Sequence, residues 1–235
     1  MMANDAGISA KEYYLKCLQE KEKVFKEITR LTAEEKETYK NLLSHLKEVN
    51  KNRKKYSNKV IGKALEDIVS FILKKSSVFE VKENIHTSTN EVDQLVLLNS
   101  TGKSFRNEGY LDVRGDYFLS ECKNYKDKIG VTWPGKFYAL LSAQTCKLGV
   151  LFSYKGLTGT GTGWNAATGL IKKLFLTKEK IEDRIYIIEF NVNDFDKIAE
   201  GLSFLEILDA KMDGLKTGTN FSHYITKDHP AMKNA

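Results

Sequence analysis

Tyr117-Phe118-Leu119-Ser120-Glu121-Cys122-Lys123-Asn124 opens as an apolar run and closes on two charges of opposite sign. Residues i and i+2 of a strand point to the same face, so this spacing sets Glu121 and Lys123 side by side. A buried strand carries two charges on one face only when they pair or serve chemistry. Upstream, Glu91-Val92-Asp93-Gln94-Leu95-Val96-Leu97-Leu98 reads as a second strand that begins with acids on one face. As neighbours, the two strands would bring Asp93 and Glu121 together around a divalent cation, with Lys123 beside the attacking water. That is an arrangement for cleaving phosphodiesters.

The surrounding pattern predicts an α/β chain. Residues 9–50 read as two charged helices, the second starting at the capping box Thr32-Ala33-Glu34-Glu35. They form a hairpin or part of a coiled coil, with Leu15, Leu18, Phe25, Leu42 and Leu46 among their apolar residues. Asn58 to Leu73 is helical and carries Glu66 within an apolar sequence. Phe79 to Ile85 is a strand, followed by the Asp93 strand. A polar connection through Gly102 and Gly109 leads to the Glu121 strand. Trp133 to Cys146 is a helix, Leu148 to Ser153 a fully buried strand, Ala166 to Lys178 a helix and Ile185 to Phe190 a strand. Phe195 to Leu215 closes with helix. Strands alternating with helices after an initial hairpin indicate an α/β/α sandwich on a mixed sheet. The expected organisation is a helical extension over 1–56, a catalytic domain over 57–218 and a loosely ordered tail over 219–235.

The order helix with Glu66, strand, Asp93 strand, Glu121-Cys122-Lys123 strand, helix and buried strand resembles the PD-(D/E)xK nuclease superfamily, the restriction-endonuclease-like fold. It is most similar to the Mrr-type restriction endonucleases. The shared features are Gly62 to Val69, with Glu66 between them, then Glu121 to Lys126 followed by Gly130-Val131, and Gly149-Val150-Leu151-Phe152-Ser153. Val92 stands where the family has proline, His86 to Asn90 replaces a glycine-rich approach, and Asp93 and Glu121 lie 28 residues apart. The resemblance implies a magnesium-dependent DNA endonuclease, with manganese able to substitute, in a restriction or phage-defence setting. It also implies the backbone carbonyl of Cys122 as a further metal ligand.

Chemistry accounts for the same residues. Magnesium takes hard oxygens and only one or two protein carboxylates, which Asp93 and Glu121 supply. Lys123 would orient water and offset charge developing on the phosphate, and Glu66 would assist from its helix. Asp116 is a rival for the first carboxylate, but its odd separation from Glu121 puts the two on opposite faces. Asp112 would need a turn at Arg114-Gly115. Gln144 reads as a helix-end amide. The glycines at 156, 159, 161 and 163 match neither the Walker nor the dinucleotide pattern and read as a loop, with Trp164 anchoring the next helix. A nucleotide-binding protein built on that loop is the weaker reading. The competing class is a catalytically inactive module that binds nucleic acid or protein on the same fold.

Charge and composition narrow the partners. The chain has 235 residues with net charge +6, and residues 1–60 hold 14 Lys and Arg against nine Asp and Glu. Lys51, Arg53, Lys54 and Lys55 form the densest basic patch, suited to backbone phosphates, with DNA favoured over RNA. No run approaches the length of a membrane span, and the N-terminus lacks a signal-peptide pattern. Three scattered cysteines and four scattered histidines form neither disulfide framework nor zinc site. A cytoplasmic homodimer joined through the N-terminal helices is expected.

Overall fold

Thr32 accepts a hydrogen bond from the Glu35 N–H, and the Glu35 side chain in turn accepts one from the Thr32 N–H. This reciprocal cap starts α2 (Ala33–Lys51), after α1 (Ala10–Thr29), which begins with the same device at Ser9. In the computed structural model residues 9–86, 91–159, 166–220 and 224–225 are described. A 3-10 turn at Arg53–Lys55 leads to α3 (Asn58–Lys75), then β1 (Phe79–His86), β2 (Glu91–Leu98), α4 (Ser100–Asn107) and β3 (Tyr117–Lys123). The chain continues through α5 (Thr132–Ala143), β4 (Leu148–Ser153), α6 (Ala167–Leu176), β5 (Tyr186–Phe190), α7 (Val192–Glu200) and α8 (Phe204–Thr217).

The strands form one mixed sheet in the order β1-β2-β3-β4-β5. β1 pairs with β2 and β2 with β3 in antiparallel fashion, whereas β3, β4 and β5 are parallel. Parallel pairs need crossover helices, and successive crossovers of one hand leave α5 and α6 on the same face. Alternation along the strands splits the core in two. Leu119, Leu151 and Ile187 meet Phe137, Leu141 and Ile171 of α5 and α6. Phe118, Val150, Phe152 and Ile188 pack with α2, α3, α7 and α8 on the other face. Gly149 permits the close seat of α5 on β4, because a Cβ there would lie 2.6 Å from the Phe137 ring and from Leu141.

Three expectations change or gain detail. The connection after β2 contains α4, capped by the Asn99 side chain on the Gly102 N–H. The closing helical stretch is two helices, parted at Gly201, whose φ of +125° favours glycine. The N-terminal helices share the main core: Phe25, Tyr39, Leu43, Leu46 and Val49 are buried in it, and the Tyr39 hydroxyl donates to the Phe195 carbonyl at 2.9 Å. Phe25 and Leu46 are therefore covered by their own chain, while Leu15 and Leu18 remain exposed. The boundary at 56 separates segments of sequence but not separate cores. The tail beyond Asn220 lies outside the described residues except for 224–225, as do Gly161, Gly163 and Trp164 of the glycine loop.

Candidate metal centre

β2 pairs with β3 in the register Gln94 opposite Ser120, so Asp93 comes next to Glu121 as the two strands part. At this point the Cys122 N–H donates to Asp93 Oδ2 at 2.7 Å, a side-chain acceptor where the β2 ladder ends. A strand residue turns its N–H and C=O toward the same neighbour. The Cys122 carbonyl thus faces the side on which Asp93 lies. The Cys122 side chain packs into the core on the α3 face. Burial, chiefly, pushes its thiol well above the usual range, with Asp93 and Glu66 adding to the shift. The sulfur stays protonated, and the carbonyl is the donor this residue offers.

Glu121 and Lys123 lie on one face of β3, and the Lys123 ammonium pairs with Glu121 Oε1 and sits 3.6 Å from Asp93 Oδ2. Glu121 is only 8% exposed, and its second oxygen, Oε2, is buried without a hydrogen-bond partner. Burial raises the Glu121 pKa, the Asp93 charge adds to the rise, and Lys123 opposes it. For Lys123, burial lowers the pKa, but the Glu121 and Asp93 carboxylates outweigh it and the net shift is upward. The ammonium remains charged.

α3 places Glu66 beside Asp93, the two sharing a small cavity of about 30 Å³ with Lys63, Glu83 and Gln94. Burial raises the Glu66 pKa, and the Asp93 charge adds to it. On the other face a cavity of about 670 Å³ opens against Asp93, Glu121 and Lys123, walled by Trp133, Lys136 and Phe137 of α5. The Trp133 indole lies 4.6 Å from the Lys123 ammonium, within reach of a cation–π contact. Sequence reasoning missed Trp133, since only the α5–β4 packing reveals that the start of α5 faces Lys123.

Asn124 follows directly on β3, and its side chain ties the strand end to α3. Its Nδ2 donates to the Ile61 carbonyl of α3 at 2.7 Å. The Arg53 guanidinium donates to the Asn124 carbonyl at 2.9 Å and to Asn50 Oδ1 at 2.7 Å. Arg53 is thus turned inward to tie the N-terminal helices to the end of β3, whereas Lys51, Lys54 and Lys55 are exposed. The rivals fall away from the centre. Asp116 precedes β3 and pairs with Arg106 at 2.6 Å, and Asp112 pairs with Lys216 at 2.8 Å. Gln144 ends α5, where its carbonyl accepts from the Tyr117 hydroxyl.

Among the described residues no three His, Cys, Asp or Glu side chains converge as a ready-made metal cluster. The donor set nonetheless suits a hard cation that keeps several waters: one carbonyl and two carboxylates, of which Glu121 keeps an unpartnered oxygen. Among the described residues no helix is long and apolar enough to cross a membrane. No family model, curated protein or solved structure matches this chain.

Proposed function

We propose that this chain is a metal-dependent nuclease of the restriction-endonuclease-like fold, hydrolysing phosphodiester bonds in DNA as an endonuclease. The observation that carries the reading is Glu121 Oε2, buried and unpartnered beside Asp93 at the mouth of a cavity that also holds a lysine. A buried carboxylate oxygen with no donor is costly, and a cation between Asp93 and Glu121 removes that cost.

Asp93, Glu121 and the Cys122 carbonyl would hold magnesium, or manganese in its place. The bound ion would polarise the scissile phosphate and steady the leaving oxygen. Lys123, charged and held over Trp133, orients the attacking water and offsets charge on the non-bridging oxygens. Glu66, which lines a small cavity with Asp93, would assist from α3 at the edge of the site. The exposed Lys51, Lys54 and Lys55 would contact backbone phosphates, with Arg53 setting their place. A homodimer would supply two such centres.

A second reading, a nucleic-acid-binding module without catalysis, has one observation in its favour: Lys123 already neutralises Glu121. Incubating the purified protein with plasmid and Mg²⁺ or Mn²⁺ separates the two. Nicked or linear product that disappears with chelator supports the nuclease. Intact plasmid with either ion, together with calorimetry that detects no ion binding, overturns it.

A further inference from the structure

Because β3, β4 and β5 are parallel, their C-terminal ends share one edge of the sheet, the edge at which β2 begins. Three loops meet there. The Arg53–Lys55 turn is fixed against Asn124 through Arg53. The segment after Asn124 is stitched in turn to the loop after β4, by Ile129 N–H to the Gly156 carbonyl and Thr158 N–H to the Ile129 carbonyl, both at 2.9 Å. Along this line Lys54, Lys55, Lys126, Lys128 and Lys155 are exposed.

Several lysines elsewhere are answered by acids: Lys63 by Asp67, Lys74 by Glu83, Lys75 by Glu35 and Lys147 by Asp183. The five at this edge have no ion pair with any described residue. Asp127 is the sole acid in these segments, and it lies close enough to Arg53 to oppose the downward pull of burial on that guanidinium. Between Lys128 and Lys155 the surface dips into a cavity of about 320 Å³. Glu189 also lines it, but that carboxylate is occupied by Asn191 Nδ2 at 2.9 Å and lies 3.7 Å from the Lys211 ammonium.

Uncompensated like charges held together by backbone stitching repel one another, and a polyanion relieves them. A single phosphate would engage one pair of lysines. Lysines on three loops, spread over strand ends set about 4.8 Å apart, call for a succession of phosphates. We propose that Lys54, Lys55, Lys126, Lys128 and Lys155 form a continuous track for the sugar-phosphate backbone of a polynucleotide, beginning just beyond the end of β3. The track rests on the reading that the chain acts on nucleic acid, but it does not depend on catalysis.

The test is equilibrium binding of the full chain to a duplex and to a single strand, in chelator, across a salt series. The triple variant Lys126→Gln, Lys128→Gln, Lys155→Gln is compared with Lys147→Gln, Lys178→Gln, Lys180→Gln, which removes equal charge at the opposite edge. The salt slope of log affinity should fall by ~0.9 for each duplex phosphate left without its lysine, or ~0.7 for each single-strand phosphate. A fall in either arm supports the track and identifies the form of nucleic acid it takes. Slopes unchanged in both arms, or lowered equally by the control variant, overturn it. Wild-type protein that leaves plasmid intact and binds no Mg²⁺ or Mn²⁺, while the triple variant shows a reduced slope, would sink the nuclease reading and keep the track. Cleavage with unchanged slopes would do the reverse.

Discussion

Lys123 answers to three partners at once: Glu121, Asp93 and the Trp133 ring. If the carboxylates serve a cation, the indole face is the partner left to hold the ammonium in place. Asp93→Ala and Glu121→Ala should each abolish plasmid cleavage and Mg²⁺ binding while the far-UV spectrum stays native; cleavage near the wild-type rate would refute the assignment. Lys123→Ala should leave the Mg²⁺ affinity intact and slow the single-turnover rate by about 10² or more. Trp133→Ala should lower the same rate with the KM for DNA little changed, and Trp133→Phe should restore part of it. A change confined to KM would make Trp133 a binding residue instead. The raised pKa values of Glu121 and Glu66 set the direction of the pH dependence. Both hold their protons to higher pH than an ordinary glutamate, so Mg²⁺ affinity should begin to fall above the usual carboxylate range as the solution is acidified. The same shift makes charged Glu121 a cost to folding. Its contribution to stability is full below the unfolded pKa and is lost as pH rises through the raised one. Calorimetric titration with Mg²⁺ from pH 8 downward reads the first effect, and an affinity that falls only at or below the pH where ordinary glutamates titrate would contradict it.

Elements differ in how openly the sequence announces them. β4 is legible because Leu148 to Ser153 is buried on both faces, which produces an unbroken apolar run. α4 is not, because Ser100 to Asn107 places only Phe105 against the core and carries a glycine. Its signal was the capping Asn99 three residues before Gly102. The parting of α7 from α8 hides in a single glycine, beyond which Ser203 and Glu206 build a new capping box. Glu206 has a second duty: Arg30 grips it in two bonds, Nε to Oε2 at 3.0 Å and Nη2 to Oε1 at 2.6 Å, joining the end of α1 to α8. Burial raises the Glu206 pKa, but Arg30 and the Ser203 N–H outweigh it, and the net shift is downward. Its contribution to stability is therefore present above the unfolded pKa and lost as pH falls through the folded one. Arg30→Ala should cost about 1–3 kcal/mol at neutral pH and less at an acid pH that protonates Glu206. Urea melts at the two pH values measure the difference, and an equal loss at both would show that the pair contributes no charge-dependent stability.

At the scale of the molecule, the sequence revealed the mixed sheet and the strand pair bearing Asp93 and Glu121, since both follow from period-two alternation broken by charge. It did not reveal that α2 belongs to the core. An amphipathic helix looks the same whether its apolar stripe meets a second chain or its own, and Tyr39, Leu43, Leu46 and Val49 meet α3 and α7 of their own. Assembly must therefore use what remains. Over its first turns α1 buries nothing large, and Tyr13, Tyr14, Leu15, Leu18 and Val24 stay exposed along residues 10–24, a length of about 22 Å. Two copies related by a two-fold axis would cover these stripes reciprocally. Removing residues 1–24 should then spare the cooperative melt and yield a monomer that nicks plasmid without linearising it. Removing residues 1–51 should instead leave the chain unfolded, because five buried side chains, Phe25 among them, worth roughly 1.5–3 kcal/mol each exceed what a marginally stable domain can lose. Leu15→Glu with Leu18→Glu separates assembly from folding: light scattering should show a monomer with an unchanged melting temperature. A wild-type protein that is monomeric at working concentration and still linearises plasmid efficiently would place both strand cuts on one chain acting twice, and α1 would then have no part in assembly.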